Sequence, residues 1–364
     1  MKAARHFDDF PPYSPVEPFD VLSGRLGIPA EKIIKLDANE NPYGPSPRVR
    51  QVLGELVYTH IYPDPESRVL RKALSQFTGV PAENLLAGAG SDELLDLLLR
   101  VMLEPGDVVM SFPPTFGMYA FDSNLNAARL VEIPRHTDFS LDLTGILANF
   151  EKSQPKVIFL ASPNNPDGSM LTHDDLDTLT SLPSLVVLDE AYIEFSGKNL
   201  GQENSRIRLV PQRDNLVVLR TFSKWAGLAG LRVGYGAFPA WLMPVMWKAK
   251  QPYNVNVAAS CAALASLEDL DTLEGNVDRL CRERERLFVA LQAFPFLHPY
   301  PSQANFVLCK VIGLSAKTIK ADLLHRGILV RYYDTDLLRD FIRISVGRAQ
   351  DTELLLQALH QIRS

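Results

Sequence analysis

Lys224 lies in the segment 217–235, VVLRTFSKWAGLAGLRVGY, where a run of strand-forming residues gives way to small and apolar ones. Thr221 and Ser223 precede the lysine, and Arg232 follows it. A buried ammonium group is costly unless a partner meets it. Taken alone, Lys224 is more readily interpreted as a structural lysine whose ammonium group reaches solvent. Chemistry at this position requires further sites to support it.

A second candidate is a carboxylate at the end of an apolar run. The segment 185–195, LVVLDEAYIEF, leads directly into Asp189 and Glu190 and then to Tyr192. A carboxylate at the end of a central strand is expensive to bury unless a cationic group faces it. The alternatives are a helix cap or a structural ion pair.

A third candidate is the turn in the segment 85–99, LLAGAGSDELLDLLL, which is typical of strand, glycine-rich turn and helix. The glycines let the backbone approach a ligand, and free N–H groups at a helix N-terminus favour a phosphate. An ordinary strand-to-helix turn remains the alternative. The third glycine of a dinucleotide-binding fingerprint is missing, and no P-loop lysine follows.

Two loops add an aromatic ring and an amide. Phe116 lies in SFPPTFGMY (111–119) and either packs in the core or stacks on a flat ligand. Asn165 lies in LASPNNPDG (160–168), a composition that suits a turn but also offers an amide to a ligand oxygen.

Together these sites match one cofactor. Pyridoxal 5′-phosphate has an aldehyde for Lys224, a ring nitrogen for Asp189 and a phosphate for the 88–92 turn, Ser223 and Arg232. Four spaced sites of matching chemistry are much less expected by chance than any one of them.

The elements that must position these residues indicate an α/β fold. Helix-like stretches alternate with apolar strands, which predicts a mostly parallel seven-stranded sheet covered by helices, with a smaller α/β unit at the C-terminal end. Ligands of such sheets lie beyond the carboxyl ends of the strands. The predicted division is an N-terminal arm with a small-domain segment (1–40), a large cofactor-binding domain (41–255) and a small domain (256–364). The predicted large-sheet strands are NLLAG, DVVMSF, ARLVEI, KVIFLAS, LVVLDEA, NLVVLRT and RVGYGAF.

Composition narrows the function class. The chain has 364 residues, 46% of them hydrophobic, and a formal net charge of -6, which argues against a nucleic-acid surface. Its three cysteines are widely separated and show no metal-ligand spacing, so no metal is expected. The N-terminal segment has no apolar signal region, and a cytoplasmic location is expected.

At this point the motifs show a family resemblance. DANENPYGPSP, YPDPES, GAGSDE, PPTFGMYA, SPNNPDG, VVLDEAYIEF, TFSKWAGLAGLRVGY and FIRISVG occur in the order found in fold-type I, class I/II aminotransferases. The chain most resembles the histidinol-phosphate aminotransferase group, over about residues 12 to 350.

The resemblance implies roles for the cofactor site. Lys224 resembles the Schiff-base lysine, and Asp189 resembles the partner of the ring nitrogen. Tyr192 and Asn165 resemble the pair that hydrogen-bonds the phenolic oxygen of the ring, and Phe116 occupies the stacking position. The other implied ligands, which would bind the cofactor phosphate, are Ala89, Gly90, Ser91, Thr221, Ser223 and Arg232.

The resemblance also implies substrate and subunit contacts. Arg343 resembles a ligand of the substrate's anionic end, and Arg331 resembles a second anion ligand for a substrate phosphate. Tyr13 resembles a tyrosine that closes over the substrate, and Asn41 belongs to the implied substrate site. A surface cation and a packed aromatic remain the alternatives for Arg331 and Tyr13. Tyr62 resembles a tyrosine that reaches a neighbouring subunit's cofactor phosphate, which implies a homodimer with shared sites.

The implied activity is a ping-pong transamination through a Schiff base on Lys224, from histidinol phosphate to 2-oxoglutarate in histidine biosynthesis. Alternatives on the same scaffold are an aromatic amino acid aminotransferase and an O-phospho amino acid decarboxylase. A regulatory module fused to a DNA-binding domain would need a further basic segment. A catalytically silent homologue would be expected to lack Lys224 or Asp189.

Overall fold

The computed structural model describes Phe7 and residues 18–362, apart from the side chain of Phe19. Tyr13 therefore lies outside the described residues. The described part contains helices of very different length, from a single turn to 22 residues. Their bounds are α1 Phe19–Leu26, α2 Pro47–Gly54, α3 Arg68–Thr78, α4 Ser91–Met102, α5 Met118–Leu125, α6 Leu143–Ser153, α7 His173–Thr180, α8 Lys198–Gly201, α9 Met243–Ala249, α10 Val257–Glu268, α11 Leu270–Leu291, α12 Ala316–His325 and α13 Ala349–His360.

Seven strands form the larger sheet, in the order β2-β8-β7-β6-β5-β3-β4. Every strand pairs in parallel with its neighbours except β8, which is antiparallel to both β2 and β7. All seven predicted strands are present, and the mostly parallel seven-stranded sheet is confirmed. Their bounds are β2 Leu85–Gly88, β3 Val108–Ser111, β4 Arg129–Glu132, β5 Val157–Ala161, β6 Leu185–Asp189, β7 Leu216–Thr221 and β8 Gly234–Ala237.

The central strands are buried on both faces because helices cover the sheet from both sides. In β6, Val186 and Leu188 join an apolar cluster on one face, while Val187 joins the cluster on the other face. This alternation follows from the two-residue period of a strand. Both faces of the central strands are therefore packed against apolar side chains.

A second, five-stranded sheet has the order β1-β11-β12-β10-β9 and its own apolar cluster. The predicted C-terminal strands and helices are present here, but two further strands were missed. β1 (Ile34–Leu36) comes from the N-terminal part of the chain and pairs in parallel with β11 (Ile328–Tyr332). The other members are β9 Leu297–Pro299, which was also missed, β10 Phe306–Val311 and β12 Phe341–Ser345. The domain boundaries at 40 and 255 stay a prediction.

Among the described helices, none combines the length and the apolar character needed to cross a bilayer.

Candidate active site

A cleft opens at the carboxyl ends of β5, β6 and β7. The volume of the cleft is about 160 Å³. Parallel strands end at the same edge of the sheet, so residues far apart in sequence meet there. The residues predicted from sequence that line this cleft are Ser91, Phe116, Asn165, Asp189, Tyr192, Thr221, Ser223, Lys224 and Arg232.

Asp189 is the last residue of β6 and is 7% exposed. The Tyr119 hydroxyl donates to its Oδ2 at 2.9 Å, and the backbone N–H of Ala191 donates to its Oδ1 at 3.0 Å. Burial raises the pKa of Asp189 to about 6, and these two hydrogen bonds oppose the rise. A cation placed beside this carboxylate would offset the free-energy cost of burying its charge.

Lys224 follows β7 in a loop, and its side chain is partly buried. Its Nζ donates to the Ala38 carbonyl at 3.2 Å and lies 5.7 Å from the centroid of the Tyr192 ring. Burial, reinforced by the Arg343 charge, lowers the pKa of Lys224 from 10.5 to about 8. The neutral amine, which is the nucleophilic form, is therefore accessible near neutral pH.

A hydrogen-bond network behind the cleft fixes Tyr192. Asn39 donates from Nδ2 to the Tyr192 hydroxyl at 3.0 Å, and its Oδ1 accepts from the Ser345 hydroxyl at 2.8 Å. Asn39 is 1% exposed and has a φ of 55°, a left-handed conformation that asparagine tolerates better than most residues. The Tyr192 hydroxyl thus receives a donor and keeps its own proton free for an acceptor in the cleft.

The opposite end of the cleft presents donors suited to an anion. The Arg232 guanidinium donates to the Ser223 hydroxyl at 3.3 Å and to Asp92 at 2.8 Å, and Thr221 donates to Ser223 at 2.9 Å. Ser91 begins the twelve-residue helix α4, whose first N–H groups have no intrahelical acceptors. Hydroxyls, an arginine and a helix N-terminus therefore converge here.

The glycine turn before α4 accommodates Arg232. A Cβ atom on Gly90 would lie 2.5 Å from Arg232 Nη2, and Gly90 has a φ of +86°. Only glycine allows both the turn and the close approach. Two of the backbone N–H groups predicted to bind the phosphate already have acceptors in the protein. The N–H of Ala89 donates to Glu93 at 2.6 Å, and that of Gly90 donates to the Gly88 carbonyl at 2.8 Å. Ser91 is therefore the better-placed phosphate donor of the three.

Arg343 and Arg331 are direct cross-strand partners on β12 and β11. Arg343 is 6% exposed and donates to Asn165 Oδ1 at 2.5 Å and to the Asp37 carbonyl at 2.7 Å. Its Nε has no hydrogen-bond partner within the described part of the chain. Directly opposed residues of an antiparallel pair share a face, and Arg343 reaches the cleft through Asn165, which lines it.

The predicted residues that the structure describes and that do not line the cleft are Ala89, Gly90, Asn41, Tyr62, Arg331 and Arg343. The Asn41 side chain is committed to local structure, because it donates to the Trp225 carbonyl at 2.8 Å and accepts from the Tyr43 N–H at 3.0 Å. Tyr62 is 78% exposed and stacks on Tyr253, with ring centroids 4.5 Å apart. The contacts predicted for these residues and for Tyr13 stay predictions.

Sequence reasoning missed three residues around the site. Tyr119 and Asn39 position Asp189 and Tyr192, and Glu40 lines the cleft. The sequence held one signal for Tyr119. It lies three residues after Phe116 and is the second residue of α5, a spacing that can bring two side chains to the same side. No local signal indicated that Asn39 would reach a tyrosine 153 residues away.

The donor set fits pyridoxal 5′-phosphate. A buried carboxylate, an amine of lowered pKa and an anion-binding end lie in a single cleft, beside a ring able to stack on a flat ligand. No group of three or more His, Cys, Asp and Glu side chains suited to a metal occurs among the residues that the structure describes.

The fold and the cleft together define a class of protein. Residues 31–362 match the family described as Aminotransferase class I and II, and the chain belongs to that family. The expected fold class, that of fold-type I enzymes, is confirmed.

Several relatives of this chain share the name histidinol-phosphate aminotransferase. Histidinol-phosphate aminotransferase, chloroplastic, from Nicotiana tabacum is 52% identical over 355 residues, which cover 97% of this chain and 85% of that protein. Histidinol-phosphate aminotransferase from Roseiflexus castenholzii is 50% identical over 359 residues, covering 96% and 95%. The crystal structure of histidinol-phosphate aminotransferase from Sinorhizobium meliloti in complex with pyridoxal-5′-phosphate superimposes with a TM-score of 0.87 at 29% identity, covering 99% and 98%.

Replacing Lys224 by methionine should stabilise the cofactor-free protein at neutral pH. The pKa of Lys224 is lowered to about 8, so below pH 8 the folded state carries an ammonium that is better solvated when unfolded. We expect a gain in unfolding free energy of about 1–3 kcal/mol at pH 7. The gain should shrink between pH 8 and 10.5, where the penalty disappears. Urea unfolding of the variant and of wild type at several pH values measures this difference in unfolding free energy.

Lys152→Met is the matched control, because Lys152 is an exposed lysine on α6. It should show no comparable pH-dependent gain. A Lys224→Met protein that is no more stable than wild type at pH 7, or a gain independent of pH, would contradict the electrostatic account.

Proposed function

We propose that this protein is a histidinol-phosphate aminotransferase, which uses pyridoxal 5′-phosphate to pass an amino group from histidinol phosphate to 2-oxoglutarate. The observation that carries the proposal is the single cleft in which Lys224, Asp189 and an anion-binding end converge, with Arg343 hydrogen-bonded to the lining residue Asn165. The names and identities of the full-length relatives support the choice of substrate.

The cofactor supplies an aldehyde that condenses with amines and a ring that withdraws electrons from the bond being broken. The protein supplies orientation and proton transfer. Ser91, Ser223 and Arg232 hold the phosphate end, and Phe116 presents its ring to a flat ligand. With both ends held, the reacting atoms are presented to Lys224 in one geometry.

Lys224 acts as nucleophile and then as base. Its lowered pKa of about 8 leaves part of the population as free amine at neutral pH. With the cofactor bound, the same amine would remove the proton from Cα of the amino donor. A base whose pKa lies near the working pH can both accept and return a proton efficiently.

Asp189 and Tyr192 would hold different polar groups of the cofactor ring. The Asp189 carboxylate, buried at the strand end, holds a proton on a ring nitrogen and favours positive charge there. The Tyr192 hydroxyl, fixed by Asn39, and the amide of Asn165 are placed for an oxygen of the ring. These contacts keep the ring electron-poor while the proton at Cα is removed.

Arg343 and Arg331 would bind the anionic groups of the two substrates. Histidinol phosphate lacks a carboxylate, so its phosphate is the anionic group available for recognition, whereas 2-oxoglutarate carries two carboxylates. Arg343 and Arg331 offer two planar donor groups, a geometry suited to both kinds of anion. The free Nε of Arg343 provides a donor not committed to the protein.

A substrate panel tests the proposal. Purified protein saturated with pyridoxal 5′-phosphate should convert histidinol phosphate with 2-oxoglutarate, and phenylalanine should react far more slowly. Borohydride reduction should attach the cofactor to Lys224, as read by peptide mass spectrometry. Lys224→Ala should lose the attachment and at least about 10⁴-fold in turnover, because nucleophile and base are removed together.

Lys152→Ala, at an exposed position, is the matched control and should behave as wild type. Preference for phenylalanine would favour an aromatic aminotransferase, and release of carbon dioxide from an O-phospho amino acid would favour a decarboxylase. Either result, without turnover of histidinol phosphate, would refute the proposal.

Substituting Arg331 by glutamine separates phosphate recognition from catalysis. Loss of a charge-assisted contact worth about 1.5–3 kcal/mol should raise KM for histidinol phosphate by about 10- to 100-fold, with a smaller change in kcat. Arg326→Gln, at an exposed arginine just past α12, is the control. An unchanged KM for the phosphate substrate in Arg331→Gln would rule out that contact.

The proposed assembly is a homodimer with shared active sites. Val57, Tyr58, Ile61 and Tyr62 are 70%, 65%, 53% and 78% exposed, an apolar grouping of the kind that marks an interface. A second copy covering this surface would bring Tyr62 towards the neighbouring cofactor phosphate, as in the family pattern.

Ile61→Asp should weaken this dimer because it buries an unpaired charge at the interface. Sedimentation equilibrium should show a dimer for wild type and a shift towards monomer for the variant, with weaker cofactor binding. Val289→Asp, at another exposed valine (64%) on α11, should remain dimeric. A monomeric wild-type protein with full activity would refute shared sites.

A further inference from the structure

We propose that Tyr119 is a positioning residue for this reaction: its hydroxyl holds the Asp189 carboxylate ionised and in one orientation towards the cofactor ring nitrogen. The inference rests on the proposed function, which assigns Asp189 to that nitrogen. It adds a residue that makes no contact with the substrate and acts only through Asp189.

The geometry gives each carboxylate oxygen one protein donor. Tyr119 projects from α5 and reaches Asp189 Oδ2 at 2.9 Å, while the N–H of Ala191 reaches Oδ1 at 3.0 Å. Rotation of the carboxylate would break both hydrogen bonds. Each oxygen also keeps a lone pair, so a further donor in the cleft can still be accepted.

Tyr119 is itself immobilised. It is fully buried, and its ring stacks on Phe159 with centroids 4.8 Å apart and planes 7° apart. The Phe116 ring packs edge-on against it at 5.6 Å and 86°. The short stretch from Phe116 to Tyr119 therefore places both the ring that lines the cleft and the tether of Asp189.

The direction of the hydrogen bond matters. Burial and the neighbouring Asp189 raise the pKa of Tyr119 well above its ordinary value, so the phenol remains a donor at any working pH. A donor favours the ionised carboxylate, whereas burial and the charges of Asp92 and Glu190 disfavour it. Without the hydroxyl, the pKa of Asp189 should rise further, and a smaller fraction would be ionised at neutral pH.

Tyr119→Phe removes this one oxygen and keeps the ring. We expect cofactor affinity, measured by titrating the cofactor-free protein, to fall by about 10- to 100-fold. The acid limb of the kcat/KM profile should move to higher pH. Tyr235→Phe is the matched control, because Tyr235 is equally buried on β8 and its hydroxyl has no hydrogen-bond partner among the described residues. It should leave both quantities unchanged.

A double-mutant cycle separates positioning from packing. In an Asp189→Asn background, Tyr119→Phe should cause little further loss, because the two residues act as one unit. If Tyr119→Phe fails to fold, as judged by near-ultraviolet circular dichroism, difluorotyrosine installed at position 119 replaces it. Its more acidic hydroxyl should move the acid limb to lower pH.

Unchanged cofactor affinity and pH profile in Tyr119→Phe, or a full additional loss in the Asp189→Asn background, would overturn the inference. The cofactor titration needs no substrate. A wild-type protein that binds the cofactor but fails to convert histidinol phosphate therefore refutes the substrate assignment alone, and leaves the role of Tyr119 to be judged by affinity.

Discussion

The burial of one carboxylate at the centre of a sheet edge governs the rest of the site. Asp189 ends β6, flanked in register by Ala161 of β5 and Leu219 of β7. Desolvation there is costly, and two hydrogen bonds offset only part of the cost, since the pKa stays raised at about 6. A buried carboxylate of raised pKa that lines a cleft is a pattern found at functional sites, where a cationic ligand can offset the cost.

The same surroundings shift the pKa of Lys224 in the opposite direction. Burial raises the pKa of the acid to about 6 and lowers that of the base to about 8, so both groups titrate close to neutrality. In water their pKa values would be separated by more than six units. A pKa near the working pH suits a base that accepts and returns a proton, as proposed for Lys224. The same buried environment raises the pKa of Asp189 because it penalises the charged form, which a cation beside the carboxylate would favour. The sheet edge supplies that environment through exclusion of water rather than through any single charge.

The fold could be predicted from sequence where the signal was local. Apolar runs of four to six residues produced all seven strands of the large sheet. β1 and β9 contain three residues each, too few for a pattern, and β1 pairs with a strand almost 300 positions later. Lys224, Asp189 and Arg232 were identifiable because a ligand's chemistry demands them at strand ends. Asn39 and Tyr119 were missed because their partners are 153 and 70 positions away. The domain boundaries and the cytoplasmic location stay predictions.

Contacts between the two sheets connect a buried arginine of the small sheet to the cleft. Arg343 of the small sheet hydrogen-bonds Asn165 beyond the large sheet's β5, and its guanidinium carbon lies 5.2 Å from the Phe306 ring. The Tyr192 ring packs edge-on against that same phenylalanine at 5.1 Å. A shift of the small sheet would therefore disturb Arg343 and Tyr192 together. Since Arg343 also lowers the pKa of Lys224, an anion that neutralises the guanidinium would raise that pKa and change the base's protonation.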